Sequence, residues 1–417
     1  MCPELHFDKW VDLYANRTSS MKASEIRDLF VVASRPDIIS FAGGMPETRS
    51  FPMEKVVAAA KNVMETDGSA ALQYIGSEGT PELRDVIVRL MAQDSINIHP
   101  EDIIITGGGQ QALDLLAKIF ISSGDKILVE APTYVGAIQA FNSYEADMIS
   151  IPLDENGIQV DLLERELKEL KAKGERPKFL YVVPDFHNPA GVTLSQDRRE
   201  KLLALSKEYN LLVLEDNPYS RLRFEGEYIK PLRAQDPSVI YISTFSKIFS
   251  PGVRLGWINA PRPILEKLNL GKQAADLCSS SFAQKIVAEY FKDDFWLNHV
   301  NYLAEVYRKR RDAMVAAMEE FFPEEVTWSL PHGGLFLWAQ LPEYIDTAEM
   351  LAEAISEKVA YITGRAFFPD RSGKNCMRLN FSYPNETEIH TGIKRLAKVI
   401  KDQMELYQSV AKKMQLE

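Results

Sequence analysis

Short apolar runs alternate with helical stretches through the middle of the chain, and this alternation limits the folds open to it. The runs lie at residues 103–106, 126–129, 179–183, 211–214 and 239–243. Continuous apolar runs of this length are typical of parallel strands buried on both faces. Their alternation with helices predicts an α/β doubly wound fold, in which ligands bind beyond the carboxyl ends of the strands.

The pattern changes after about residue 285. Long helices at residues 282–321 are followed by short strands near residues 326–330, 334–340, 361 and 377–382, with a helix at 347–357 and a terminal helix from Glu386. Helices segregated beside a small sheet predict a second, smaller α+β domain. We therefore expect a large domain at residues 49–290 and a small domain at 291–417.

Composition excludes several classes of protein. The chain of 417 residues carries a net charge of −11, which argues against a nucleic-acid surface because phosphate binding needs a basic face. Its three cysteines are scattered, which favours a reducing cytoplasm over a disulfide framework or a cysteine-based zinc site. Neither a signal peptide nor a membrane segment is indicated, and no metal site is expected.

One lysine has surroundings that suit covalent chemistry. Lys247 lies in the segment Ser-Thr-Phe-Ser-Lys-Ile-Phe-Ser-Pro-Gly-Val-Arg, thirty-one residues after Asp216, which ends an apolar run. Its amine can form a Schiff base, while Thr244, Ser246 and Arg254 can hold a phosphate. Asp216 can keep a pyridine nitrogen protonated, and this combination predicts pyridoxal 5′-phosphate (PLP) as cofactor.

A glycine-rich turn precedes one of the predicted helices. Thr-Gly-Gly-Gly-Gln at residues 106–110 links a strand to a helix, where unpaired N–H groups and the helix dipole favour an anion. Such turns are common, so the segment alone is equally consistent with a purely structural role.

Eight segments in one order resemble a known family. They are residues 39–46, 72–79, 105–112, 130–137, 184–191, 215–219, 243–257 and 377–382. Together they are similar to the fold type I PLP enzymes of the aspartate aminotransferase superfamily, and most similar to the 2-aminoadipate and kynurenine aminotransferase subgroup. The resemblance implies a large domain with a mostly parallel sheet of the seven-stranded type, and residues 1–48 joining the small domain.

The resemblance also implies individual roles in cofactor binding. Lys247 would hold PLP and later move a proton, Asp216 would contact the ring nitrogen, and Tyr134 would stack on the ring. Asn188 and Tyr219 would bond the ring oxygen. The residues implied for the phosphate are Gly109, Gln110, Thr244, Ser246 and Arg254. Related enzymes often carry serine where Gly109 stands, so one hydrogen bond is expected to be missing.

Substrate residues follow from the same resemblance. Arg378 would bind the α-carboxylate, with Asn188 and Gly44 beside it. Arg27 matches a position that reads a distal carboxylate in aminoadipate-type members, although a solvent-facing helix arginine is an equal alternative. Tyr74 would reach the phosphate of a neighbouring subunit, which predicts a homodimer with a shared site.

These features predict a ping-pong aminotransferase of amino-acid metabolism. The donor would be 2-aminoadipate or an aromatic or aliphatic amino acid, and the acceptor a 2-oxo acid such as 2-oxoglutarate. Two alternatives stay open at this point: a PLP-dependent lyase or decarboxylase on the same scaffold, and a non-catalytic aminotransferase-like regulator. The acidic charge opposes the regulator.

Overall fold

The computed structural model describes residues 8–19, 21, 35–47 and 50–414, with side chains described to residue 409. Its strands, named in chain order, are β1 (Ile39–Ser40), β2 (Ile103–Thr106), β3 (Lys126–Ala131), β4 (Asp147–Asp154), β5 (Gly157–Ile158), β6 (Phe179–Val182), β7 (Leu212–Asp216), β8 (Ile240–Thr244), β9 (Gly256–Asn259), β10 (Thr327–Trp328), β11 (Phe336–Gln340), β12 (Val359–Ala360), β13 (Ile362–Thr363) and β14 (Cys376–Asn380).

Helices connect these strands. They are α1 (Met53–Ala71), α2 (Pro81–Gln93), α3 (Gly109–Phe120), α4 (Val135–Asn142), α5 (Val160–Ala172), α6 (Gln196–Tyr209), α7 (Leu232–Gln235), α8 (Arg262–Ala275), α9 (Ser281–Tyr290), α10 (Phe295–Phe321), α11 (Thr347–Ser356) and α12 (Glu386–Met414). The two longest, α10 and α12, pack against each other.

The main sheet has the strand order β2-β9-β8-β7-β6-β3-β4-β5. Strands β4, β3, β6, β7 and β8 pair in parallel, whereas β9 runs antiparallel between β8 and β2. Seven strands have four or more residues, and the two-residue β5 extends the sheet by an eighth. The prediction of a mostly parallel sheet between helices is confirmed.

Burial explains why the apolar runs became central strands. Every residue of β2, β6 and β8 is buried, so these strands have no solvent-facing side for polar residues to occupy. Because β6, β7 and β8 also pair in parallel, their carboxyl ends meet at one edge of the sheet, where the chain continues into segments that carry candidate site residues.

A four-stranded antiparallel sheet, β10-β11-β14-β13, is separate from the main sheet. The separate pair β1 and β12 runs parallel, and the Phe41 carbonyl accepts a 2.8 Å hydrogen bond from the Asn380 amide. Residues 39–41 therefore contact the C-terminal third of the chain. The domain limits at residues 48 and 290 stay predictions.

The helical stretch predicted at residues 282–321 is interrupted. Helix α9 ends at Tyr290 and α10 begins at Phe295. In the gap, the Asp293 carboxylate accepts a 2.9 Å hydrogen bond from the Phe295 amide. A side chain that accepts from a backbone N–H two residues ahead favours a turn over a continuous helix.

Candidate active site

A cavity of about 180 Å³ lies beyond the carboxyl ends of the central strands. Every cofactor residue expected from the sequence, except Tyr74, lines it. The lining residues are Gly109, Gln110, Tyr134, Val183, Asn188, Asp216, Pro218, Tyr219, Thr244, Ser246, Lys247, Pro251 and Arg254. The fold thus brings together residues that are up to 145 positions apart in the chain, counting from Gly109 to Arg254.

Lys247 presents an amine with a lowered affinity for its proton. Burial lowers the pKa of Lys247 to about 8, and the nearby guanidinium groups of Arg378 and Arg254 contribute to the decrease. Its Nζ donates a 2.6 Å hydrogen bond to the carbonyl oxygen of Gly44. At pH 7 about one tenth of this amine is therefore neutral and nucleophilic, far more than of an ordinary lysine.

Asp216 is the last residue of β7 and is buried. Burial raises the pKa of Asp216 to about 6, and the neighbouring Glu130 adds to the increase. In the opposite direction, the Tyr181 hydroxyl donates a 2.7 Å hydrogen bond to Asp216 Oδ2, which lowers the pKa. Among the described residues, no cation contributes to the pKa of this carboxylate. A positive charge placed in the cavity would therefore stabilise its ionised form.

Glu215 points away from the cavity, as strand alternation predicts. Its carboxylate accepts hydrogen bonds of 3.1 Å and 2.8 Å from the amides of Leu232 and Arg233, at the start of α7. Burial raises the pKa of Glu215 to about 7. Of the two adjacent acidic residues, only Asp216 lines the cavity.

The first turn of α3 and Arg254 form one end of the cavity. Gly108, which precedes the helix, has φ +86°, and a Cβ there would lie 2.6 Å from Arg254 Nη2. Glycine is therefore required for Arg254 to pack against this turn. The Thr244 hydroxyl lies 2.9 Å from Ser246 Oγ. Helix N–H groups, hydroxyls and a guanidinium together suit a phosphate.

Gly109 differs from Gly108 in its surroundings. No heavy atom lies within 4 Å of a Cβ built at Gly109, so this position has room for a side chain. A serine at this position would add a hydroxyl donor that glycine lacks. Gln110 donates a 2.8 Å hydrogen bond to the carbonyl of Gly136.

Arg378, on β14, lies next to the cavity and contacts its wall at Asn188. It donates to Asn188 Oδ1 at 2.9 Å and to the Ala42 carbonyl at 2.8 Å, and its guanidinium lies 4.2 Å from the Phe336 ring centre. No carboxylate within the described part of the chain pairs with it, and its Nε is buried without a hydrogen-bond partner there. Burial lowers the pKa of Arg378 to about 10. An uncompensated buried guanidinium suits a ligand carboxylate.

Asn188 links this arginine to the rest of the cavity. Its Oδ1 accepts from Arg378, while its Nδ2 donates a 3.2 Å hydrogen bond to the Tyr219 hydroxyl. Burial raises the pKa of Tyr219 and of Tyr134, so both phenols are neutral at physiological pH. Asn188 and Tyr219 thus provide neutral polar groups, and Tyr134 an aromatic ring, on the cavity wall.

His187 beside Asn188 belongs to the supporting structure. Its Nδ1 accepts a 3.2 Å hydrogen bond from the Ala190 amide, and its Nε2 lies 3.1 Å from Glu130 Oε2 outside hydrogen-bonding geometry. It does not line the cavity, so it is not placed to act as a base there.

One expected residue, Tyr74, lies elsewhere. Tyr74 is 78% exposed and is not part of the cavity wall of its own chain. Arg27 lies outside the described residues. Gly44, expected near the substrate carboxylate, contacts Lys247 through its carbonyl oxygen.

Sequence reasoning missed Tyr181, the donor to Asp216. Tyr181 lies within an apolar run that by itself predicts only a buried strand. It pairs in register with Leu214, two residues before Asp216, so both side chains lie on one face of the sheet. Strand alternation could have suggested this contact only once the register between β6 and β7 was known.

The arrangement fits PLP. An amine of lowered pKa, a buried carboxylate, an aromatic ring and an anion-binding turn surround one cavity, and an unpaired guanidinium lies next to it. Among the described residues, no group of three or more His, Cys, Asp or Glu side chains is placed to hold a metal ion. In the same part of the chain, no helix combines the length and apolar character needed to cross a membrane.

Comparison with known proteins places these findings in a family context. The family model "Aminotransferase class I and II" matches residues 36–396. The chain is 46% identical over 405 residues to aromatic-amino-acid aminotransferase 1 of Thermococcus litoralis, with 96% of each chain covered. It is 36% identical over 397 residues to the 2-aminoadipate transaminase of Thermus thermophilus, covering 94% of this chain and 97% of that protein.

A solved structure is similarly close. The Pyrococcus horikoshii kynurenine aminotransferase, crystallised in complex with PMP, KYN and KYA, aligns with a TM-score of 0.91 and 44% identity. The alignment covers 95% of this chain and 98% of that chain.

Proposed function

Because the chain belongs to the class I and II aminotransferases and is a PLP-dependent enzyme, we propose that Lys247, Asp216 and Arg378 are its principal cofactor and substrate residues. One observation carries the proposal. The amine of Lys247, with its pKa lowered to about 8, lines the same cavity as Asp216 and Arg254. Lys230 and Lys272 are not among the residues that line this cavity.

Bound PLP supplies a ring that withdraws electrons from the substrate Cα. Asp216 would hold a proton on the ring nitrogen, because a buried carboxylate strongly stabilises an adjacent cation. The amine of Lys247 would hold the cofactor covalently, and the same amine would move the proton of the substrate Cα. Tyr134 would pack against the ring, and Asn188 and Tyr219 would bond the ring oxygen.

The phosphate is bound by Gly109, Gln110, Thr244, Ser246 and Arg254. The helix dipole of α3 and the guanidinium of Arg254 favour the phosphate charge from two directions. Because these groups lie on α3, at the end of β8 and in the loop that follows it, they would hold the phosphate independently of the covalent bond to Lys247.

Arg378 binds the substrate α-carboxylate, with Gly44 and Asn188 beside it. Asn188 accepts one N–H of the guanidinium, and Phe336 covers its face, which restricts its orientation. A restricted guanidinium places the substrate Cα reproducibly, and this contributes to rate as well as to affinity.

We further propose 2-aminoadipate and aromatic or aliphatic amino acids as donors and 2-oxoglutarate as acceptor. The printed names of the relatives, which include aromatic-amino-acid and 2-aminoadipate aminotransferases, support this range. Arg27 would read the distal carboxylate of the acidic substrates. A cytoplasmic location is proposed from the odd, scattered cysteines.

A homodimer with a shared site is also proposed. Tyr74 is 78% exposed, and Leu72, Leu277 and Phe282 are exposed large apolar side chains as well. Exposed apolar surface of this kind favours a contact with a second copy. Tyr74→Phe should then raise the Kd for PLP, and the protein should sediment as a dimer; a monomer that binds PLP fully would refute the shared site.

Reductive trapping tests the central assignment. Borohydride treatment of the PLP-bound enzyme followed by peptide mapping should place the label on Lys247, and Lys247→Ala should prevent labelling. Lys230→Ala serves as the control and should label normally. A label on Lys230 or Lys272 in the unmodified enzyme would overturn the assignment.

A further inference from the structure

A buried ion pair lies behind the turn proposed to bind the phosphate. Lys272, on α8, is fully buried, and its Nζ donates to Asp276 Oδ1 at 2.7 Å and to Ser279 Oγ at 2.9 Å. The Asp276 side chain is 30% exposed. A lysine without solvent contact is costly to bury unless its charge is paired and bonded, so this position needs an explanation.

Gln111 connects this pair to the turn. Its Nε2 donates a 2.8 Å hydrogen bond to Asp276 Oδ2, and Lys272 Nζ lies 3.5 Å from its Oε1. The same Oε1 accepts a 2.6 Å hydrogen bond from the Gly107 amide. Both ends of the Gln111 amide are therefore held, which determines where its oxygen lies relative to Gly107.

Gly107 is in turn bonded to Arg254. The Gly107 carbonyl accepts a 3.1 Å hydrogen bond from Arg254 Nη2, so one peptide segment is held on both sides. Arg254 also packs against Gly108, where even a Cβ would approach its Nη2 to 2.6 Å. A shift of Gly107 would thus move the guanidinium and the start of α3 together.

A simpler explanation is that Lys272 only stabilises α8. Lysine in the last turn of a helix interacts favourably with the helix dipole, and Lys272 pairs with Asp276 four residues on. That role needs neither complete burial nor contact with Gln111. Lys272 is nevertheless fully buried and contacts Gln111, and this contact connects α8 to the glycine-rich turn.

We propose that Lys272 is a positioning residue for cofactor binding: through Asp276 and Gln111 it holds Gly107, and with it Arg254, in the geometry that binds the PLP phosphate. This inference rests on the proposed role of Arg254 and the glycine-rich turn. Lys272 itself does not touch the cofactor, since it does not line the cavity.

Comparing PLP with pyridoxal tests the proposal, because pyridoxal lacks only the phosphate. The enzyme is freed of its cofactor and reloaded with each compound. Lys272→Met should raise the Kd for PLP about tenfold and leave that for pyridoxal within about twofold, because the lost charge-assisted bonds serve only the phosphate. Equal weakening for both compounds, or an unchanged Kd for PLP, would overturn the proposal.

Two further variants sharpen the test. Lys267→Met removes an exposed lysine from the same helix and should bind both compounds normally. Gln111→Leu removes the acceptor for the Gly107 amide and should raise the Kd for PLP but not that for pyridoxal. This variant tests the same chain of contacts even if Lys272→Met does not fold. Because both residues act through one chain of contacts, the double variant should be no weaker than Gln111→Leu alone; additive losses would contradict the mechanism.

The same experiment separates this inference from the proposed phosphate site. If the unmodified enzyme binds pyridoxal as tightly as PLP, the phosphate site itself is wrong and the inference falls with it. If the unmodified enzyme prefers PLP and Lys272→Met keeps that preference, only the role of Lys272 is refuted.

Discussion

The Tyr181 hydroxyl donates a 2.7 Å hydrogen bond to Oδ2 of Asp216, across the neighbouring strands β6 and β7. Both residues are buried, so the bond is not weakened by competing water. It is the interaction that most opposes the rise in the pKa of Asp216 caused by burial. The ionisation of the proposed ring-nitrogen partner therefore depends on a tyrosine in a strand otherwise made of apolar residues.

Tyr181→Phe should raise the pKa of Asp216 further above its usual range. The ionised carboxylate is the form that binds the protonated ring nitrogen, and it is lost as the pH falls, so in the enzyme freed of its cofactor the acid limb of the pH profile for PLP binding should move to higher pH. We expect PLP affinity to fall about tenfold near pH 6, the size of one hydrogen bond to a charged group. An acid limb that does not move would show that Tyr181 has no influence on Asp216.

Asp216→Asn should retain PLP but react slowly. The amide can still accept from Tyr181, yet it carries no charge to keep the ring nitrogen protonated. Removal of such a preorganised electrostatic partner costs on the order of 10²–10³ in rate. Single-turnover half-reactions with an amino acid measure the effect. Glu215→Gln is the matched control, because that neighbouring carboxylate faces α7, and its half-reaction should stay near normal.

Cofactor binding to the freed enzyme should accelerate with pH. Only the neutral amine of Lys247 reacts, and with a pKa of about 8 the rate should increase up to pH 8 and level off above it. Stopped-flow absorbance between about pH 6 and pH 10 would follow this change. Arg378→Leu removes a cation that lowers this pKa and should shift the midpoint upward. A midpoint near that of an ordinary lysine in the unmodified enzyme would show that burial does not lower the pKa of Lys247.

Adjacent glycines should respond in opposite ways to substitution. Gly109→Ser has room for its side chain and should bind PLP at least as tightly as the unmodified enzyme, because the hydroxyl adds a donor at the phosphate. Gly108→Ala has φ +86° and would place its Cβ against Arg254, so PLP binding should weaken severalfold. Titration of the two variants with PLP measures both, and equal affinities would contradict the assignment of this turn.

Arg27→Ala should separate acidic from apolar substrates. We expect a strongly raised KM for 2-aminoadipate and glutamate and little change for leucine or phenylalanine, because only the acidic side chains carry a distal carboxylate. Arg35→Ala is a suitable control: this exposed arginine pairs with Asp37 and should leave all substrates unaffected. Equal losses on both substrate types would assign Arg27 a structural role.

Much of the fold was accessible from sequence because its signals are local. The apolar run at residues 103–106 became β2 with the same limits, and the terminal helix begins at Glu386 as predicted. The antiparallel strand β9 (Gly256–Asn259), by contrast, was not predicted, and only its first two residues fall within the matched segment 243–257. Its direction depends on pairing with β2 and β8, which no local pattern encodes.

The same distinction applies to the site. Lys247, Asp216 and Arg254 could be proposed from sequence because their chemistry is carried by residue type and short-range spacing. The contacts of Tyr181 with Asp216, of Asn188 with Arg378 and of Lys272 with Gln111 could not, since each joins residues 35 to 190 positions apart. Sequence by itself determined which groups are available for chemistry. Tertiary structure decided their pKa values and orientations, because burial and hydrogen bonding depend on which strands and helices become neighbours.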